Sequence, residues 1–147
     1  MKKILFALLA AGLFACQSAD QNSGSLTQEE KELATKDSAN FTSIQWIDST
    51  MQNLGKVKEG QVVEVSYRFK NSGDKNLVIA NVSASCGCTV PEKPEKPVAP
   101  GEEGVIRAKF DSRGRPAGVT QKDVHVTANT SPESVTVLSF KVDITTE

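Results

Sequence analysis

Apolar and polar positions begin to alternate near residue 41 and keep alternating almost to the end of the chain. In Val62–Lys70 the positions Val63, Val65, Tyr67 and Phe69 are apolar, while Glu64, Ser66, Arg68 and Lys70 are polar. A two-residue period sends successive side chains to opposite faces of an extended strand, one face buried and one wet. The same period runs through Ile106, Ala108 and Phe110, through Val124, Val126 and Ala128, and through Leu138, Phe140, Val142 and Ile144. Phe41–Ile47 and Leu77–Val82 bring the count to six strands, and a seventh is expected through Cys88–Val90. Asn71-Ser72-Gly73-Asp74 is a turn cluster, and further Gly, Pro, Asn and Asp clusters separate the other strands. Short strands with one apolar face at this spacing predict an all-β fold, an Ig-like antiparallel β-sandwich of about seven strands over residues 41–147.

The pattern is absent upstream. Residues 17–40 contain two leucines, three alanines and no aromatic or β-branched aliphatic residue, too little apolar surface to fold alone. Thr27 and Glu30 fit a capping box, which predicts a marginal short helix near 28–36. The lipidated cysteine and flexible linker are therefore assigned to 16–40, with a reach of roughly 25–30 Å as a coil.

The first residues change the setting. Lys2 and Lys3 precede a ten-residue apolar-plus-glycine run, Ile4–Leu13, too short to span a bilayer and suited to a signal peptide over 1–15. Leu13-Phe14-Ala15-Cys16 resembles the bacterial lipobox, with Phe14 bulkier than usual. That resemblance implies cleavage before Cys16 and a diacylglycerol-modified, acylated cysteine, which anchors the chain to a membrane without crossing it. A plain secretory signal that leaves Cys16 free is the other reading. No aspartate follows Cys16 directly, which by analogy with lipoprotein sorting points to the outer membrane, on its periplasmic or its surface face.

Charge and motifs exclude several classes. The formal net charge of the 147-residue chain is −1, and loss of Lys2 and Lys3 makes it more negative, so nucleic acid is not an expected partner. His125 is the only histidine and falls on the polar side of its strand. No nucleophile elbow, zincin, Walker or dinucleotide motif is present. An enzyme is not expected.

Cys86-Gly87-Cys88 is the one chemical candidate. Two residues apart on a strand puts the Cα atoms about 6.6 Å apart, near the limit for a disulfide, with both side chains on one face. Three readings stay open: small apolar packing groups, a disulfide that Gly87 lets close as a strained and reducible ring, or a thiol pair for redox work or Cu(I). Downstream, Pro91, Pro94, Pro97 and Pro100 recur every third residue, the period of a polyproline II rod of about 28 Å. The rod reads as a stiff crossover between sheets rather than a ligand for an aromatic groove. Arg113–Gly118 reads as a solvated loop rather than an anion site.

Five ordered blocks carry a family resemblance: Leu54–Gly60, Phe69–Gly73, Leu77–Val82, Ser85–Pro91 and Ala99–Gly104. They closely resemble the bacterial family DUF1573, a domain of unknown function common in lipoproteins of Bacteroidetes, over roughly residues 43 to 145. The resemblance implies an Ig-like sandwich similar to domains of cilia-associated and major-sperm-protein-like proteins, and it implies no reaction and no ligand. That phylum would also make Asp37-Ser38-Ala39 and Asp48-Ser49-Thr50 similar to its O-glycosylation signal. The expectation is a non-catalytic, lipid-anchored envelope protein that requires no cofactor and meets a protein or glycan partner. The alternative is a thiol-redox or Cu(I) accessory protein using Cys86 and Cys88.

Overall fold

The computed structural model describes residues 25–146. The signal peptide expected over 1–15 and the lipidation expected at Cys16 lie outside the described residues. A short helix α1 (Gln28–Ala34) precedes eight strands: β1 (Ile44–Trp46), β2 (Met51–Lys58), β3 (Val62–Asn71), β4 (Ile79–Ala84), β5 (Thr89–Glu92), β6 (Glu103–Asp111), β7 (Gly118–Ala128) and β8 (Val135–Thr145). They form two four-stranded sheets, ordered β1-β3-β6-β5 and β2-β8-β7-β4. The expected Ig-like sandwich is present, with one strand more than the periodicity counted.

The additional strand is β2, and its concealment has a local cause. The register against β8 shifts between Asn53 and Lys56, and Gly55 sits there at φ +71°, a conformation that suits glycine. The bulge puts Gln52, Leu54 and Val57 on the inner side, so apolar positions no longer alternate. β2 also runs parallel to β8, which makes that sheet mixed, whereas every other strand pair is antiparallel.

The sandwich core follows the predicted alternation. Val65, Tyr67 and Phe69 of β3 and Ile106, Ala108 and Phe110 of β6 meet Val124, Val126, Leu138, Phe140, Val142 and Ile144 of the facing sheet. Phe110 and Phe140 cross the interlayer edge to face, with ring centroids 5.9 Å apart, an arrangement favoured by the ring quadrupoles. Gly104 lies where Phe69 needs space: a Cβ there would collide with the Phe69 ring.

Tyr67 is fully buried and donates its hydroxyl to Ser139 O at 2.9 Å. Burial, and then the charge of Asp123, push its phenol well above the ordinary value. The folded state therefore favours the neutral phenol, and the stability this provides is whole below pH about 10 and is lost as pH rises past it. Tyr67→Phe leaves Ser139 O without that donor and should cost about 1 kcal/mol at neutral pH. Urea unfolding at pH 8 and at pH 10.5 should then show a smaller alkaline loss for the variant than for the parent chain.

Two long connections differ from expectation. The prolines do not form a rod between sheets. Pro91 lies within edge strand β5, where a missing N–H is tolerated, and β5 and β6 are antiparallel neighbours in one sheet. Their connection is a long hairpin loop that leaves the sheet and returns. On the way Val98 exchanges two backbone hydrogen bonds with Leu77, both 2.9 Å. Upstream, α1 has the expected capping box at Thr27 and Glu30, and Lys31 is buried with Nζ 3.1 Å from Glu95 Oε2. Ser25 also donates to Glu95 O, so contact with the sandwich begins ahead of residue 41, where the domain was expected to start.

Candidate functional site

The cysteine pair occupies the corner where the chain leaves one sheet for the other, between β4 and β5. Ser85 N donates to Asp123 O at 3.1 Å, Thr89 N to Cys86 O at 3.2 Å, and Asp111 N to Cys88 O at 2.9 Å. These bonds hold a tight turn against β7 on one side and β6 on the other. Within it Cys86 and Cys88 are joined as a disulfide with Cα atoms 5.3 Å apart, closer than an ideal strand allows because the segment turns at Gly87. Cys88 is buried in the core cluster, and Cys86 is partly exposed at its margin. A loop this small restricts the unfolded chain by only about 1.5 kcal/mol, modest beside a core of this size. Joined sulfurs offer no thiolate, so holding a soft ion would require reduction first.

Thr89 is the neighbour that sequence reading did not single out. It is buried, and its hydroxyl lies 3.6 Å from Cys86 Sγ and 3.9 Å from Cys88 Sγ. Its place directly after Cys88 was the available signal, but only the fold shows that it turns inward onto the sulfurs.

The other sequence candidates do not converge on this corner. His125 is exposed on β7, as its strand face predicted. Asp123, two residues away, accepts from Ser139 Oγ at 2.7 Å and Gln121 Nε2 at 3.1 Å, and these bonds hold its carboxyl below the usual range. The Arg113–Gly118 loop is exposed, and its Gly114 N–H already donates to Glu59 Oε1 at 2.9 Å. At the two Asp-Ser motifs, Asp37 caps a single 3-10 turn and Asp48 pairs with Arg68 at 2.7 Å. Among the described residues no three His, Cys, Asp or Glu side chains gather where they could hold a metal ion.

The outer faces of the two sheets differ in character. The β3–β6–β5 face carries an ion-pair ladder in which Glu64 approaches Arg107 and Lys109, and Lys109 also reaches Glu92 at 2.7 Å. On the opposite sheet, Ser83, His125 and Val137 form one cross-strand row, and Asn81, Thr127 and Val135 the next. Val135 and Val137 are each 47 % exposed and Met51 is 46 % exposed. No Lys, Arg, Asp or Glu interrupts those two rows.

Comparison with known proteins gives a fold and a family without an activity. No curated protein matches the chain. A Porphyromonas gingivalis protein of unknown function superposes with a TM-score of 0.61 at 14 % identity, covering 73 % of this chain and 49 % of that one. The Vibrio cholerae VesB protease gives 0.54 at 15 % identity, covering 78 % of this chain and 34 % of that one. The chain thus spans half or less of these two relatives. An ASH/PapD-like domain of human CEP192 gives 0.56 at 9 % identity, covering 74 % of this chain and 89 % of that one. Identities this low establish the Ig- and PapD-like sandwich alone. Residues 44–144 match the family described as protein of unknown function DUF1573, and the chain belongs to that family.

Proposed function

We propose that this chain is a non-catalytic, lipid-anchored interaction module of the cell envelope, tethered through Cys16 and requiring no cofactor for its fold or its contacts. The observation that carries the reading is a contrast between the sheets. The β4–β7–β8 face has two adjacent cross-strand rows free of Lys, Arg, Asp and Glu, whereas the β3–β6–β5 face sets its exposed Val62 and Val90 beside a ladder of ion pairs. A solvated charge ladder resists desolvation, whereas uncharged side chains lose little on being covered. The partner is a protein with a low-charge, partly apolar surface. A glycan fits less well, because Trp46, the single tryptophan, lies on the other sheet packed against Phe69 at 5.6 Å, and the two uncharged rows contain no Trp, Tyr or Phe ring.

The test is photocrosslinking in intact cells, comparing Val135→Lys/Val137→Lys with a control pair on the charged sheet, Val62→Lys/Val90→Lys. The first pair should lose the crosslinked partner by tenfold or more, and the control should keep it. Equal capture by both pairs would remove the uncharged rows from the reading.

A second reading, thiol exchange at Cys86 and Cys88, is favoured by one specific observation: Cys86 is partly exposed, while Cys88 is buried beside a hydroxyl. With both thiols free, the same pair would be the ligand set for Cu(I).

A further inference from the structure

We propose that Thr89 is a positioning residue that favours the reduced form of the Cys86–Cys88 pair, and that exchange begins at Cys86 with Cys88 as the leaving sulfur. The inference rests on the thiol-exchange reading and gives it a direction and a controlling residue.

Access sets the direction. An attacking thiolate must approach along the S–S axis, and only Cys86 stands at the margin of the core; Cys88 is 7 % exposed. The thiolate of an external dithiol therefore bonds to Cys86 Sγ, and the S–S electron pair departs on Cys88 Sγ. The second thiolate of the dithiol then attacks its own sulfur in the mixed disulfide and frees Cys86. Two electrons and two protons end on the cysteine pair, and the dithiol becomes a disulfide.

Thr89 sets the balance. Among the described residues, the two sulfurs are the only hydrogen-bonding neighbours of its buried hydroxyl. Disulfide sulfurs accept weakly and have no hydrogen to give, so the oxygen lone pairs go unmet while the pair is oxidised. Reduction provides S–H donors to that oxygen. During exchange, the hydroxyl proton also faces the charge emerging on buried Cys88, which burial would otherwise oppose. The hydroxyl is thus better satisfied in the reduced state than in the oxidised one.

The full-length chain is equilibrated in dithiothreitol buffers, and its reduced fraction is read by alkylation and mass spectrometry. Thr89→Val keeps the shape and removes the hydroxyl, so its equilibrium should move toward the disulfide about threefold to tenfold, the worth of one hydrogen bond. Thr89→Ser should stay within twofold of the parent. A Thr89→Val equilibrium within twofold of the parent would overturn the proposal. A second measurement needs no variant: brief exposure to reduced glutathione, acid quench and peptide mass spectrometry. Glutathione should be found on Cys86 and free thiol on Cys88, and the reverse placement overturns the stated direction. The underlying reading fails separately. If the pair never changes redox state in intact cells, thiol exchange is not its function, while the effect of Thr89 on the isolated couple stands or falls on the dithiothreitol equilibrium alone.

Discussion

Asn71→Ala is expected to lose about 3–5 kcal/mol of stability, a large share of what a domain of this size possesses. The side chain is fully buried at the end of β3. Its amide nitrogen donates to Lys75 O at 2.7 Å and Val98 O at 2.9 Å, and its carbonyl accepts from Thr42 Oγ1 at 3.0 Å and Gly73 N at 3.2 Å. One residue thereby satisfies the approach to β1, the turn after β3 and the proline-bearing loop. Alanine removes all four bonds and leaves their partners short of water, each at about 1 kcal/mol or more. Asn71→Asp should cost at least as much, because its second carboxyl oxygen would face the Lys75 and Val98 carbonyls that the amide now donates to, and its charge would be buried unpaired. Urea denaturation with unchanged slope would measure both. A loss under 1 kcal/mol for Asn71→Ala would show that water replaces the side chain.

Phe110→Ala is expected to cost a similar 3–5 kcal/mol by a different route. The ring is fully buried at the centre of the sandwich, edge to face with Phe140. Its removal forfeits transfer energy and leaves a cavity between two sheets whose hydrogen-bonded ladders cannot collapse into it. Phe110→Leu keeps most of the volume and should cost no more than about 1.5 kcal/mol. Phe110 also stands opposite Thr89 in the β5–β6 register. The cavity therefore opens beside the cysteine corner, and alkylation of reduced Cys88 should accelerate more in Phe110→Ala than in Asn71→Ala, whose similar destabilisation exposes the thiol only through general opening. Equal rates in the two variants would show that the corner is insulated from the core behind it.

The sandwich was legible because burial on one face of a strand imposes a period that needs no tertiary knowledge to detect. Val63–Phe69, Ile106–Phe110, Val124–Ala128 and Leu138–Ile144 all lie in strands with those faces inward. β2 was not legible, since a bulge at Gly55 interrupts the very period that would have shown it. The proline spacing misled for a related reason: a three-residue repeat describes a local conformational preference, and strand pairing at Pro91 with bridging at Val98 overrode it.

The order of apolar and polar side chains was sufficient for the fold class, the inward faces of most strands, the exposed setting of His125 and the close spacing of Cys86 and Cys88, because each follows from chain geometry over a few residues. Which strands are neighbours, the parallel pairing of β2 with β8, the docking of Lys31 on Glu95, and the burial of Thr89 against two sulfurs depend on contacts between residues far apart in the chain. Such contacts form only where two sheets close on one another. That closure is what turned a short cysteine motif into a corner with a partly exposed cysteine, a buried one, and a hydroxyl beside both sulfurs.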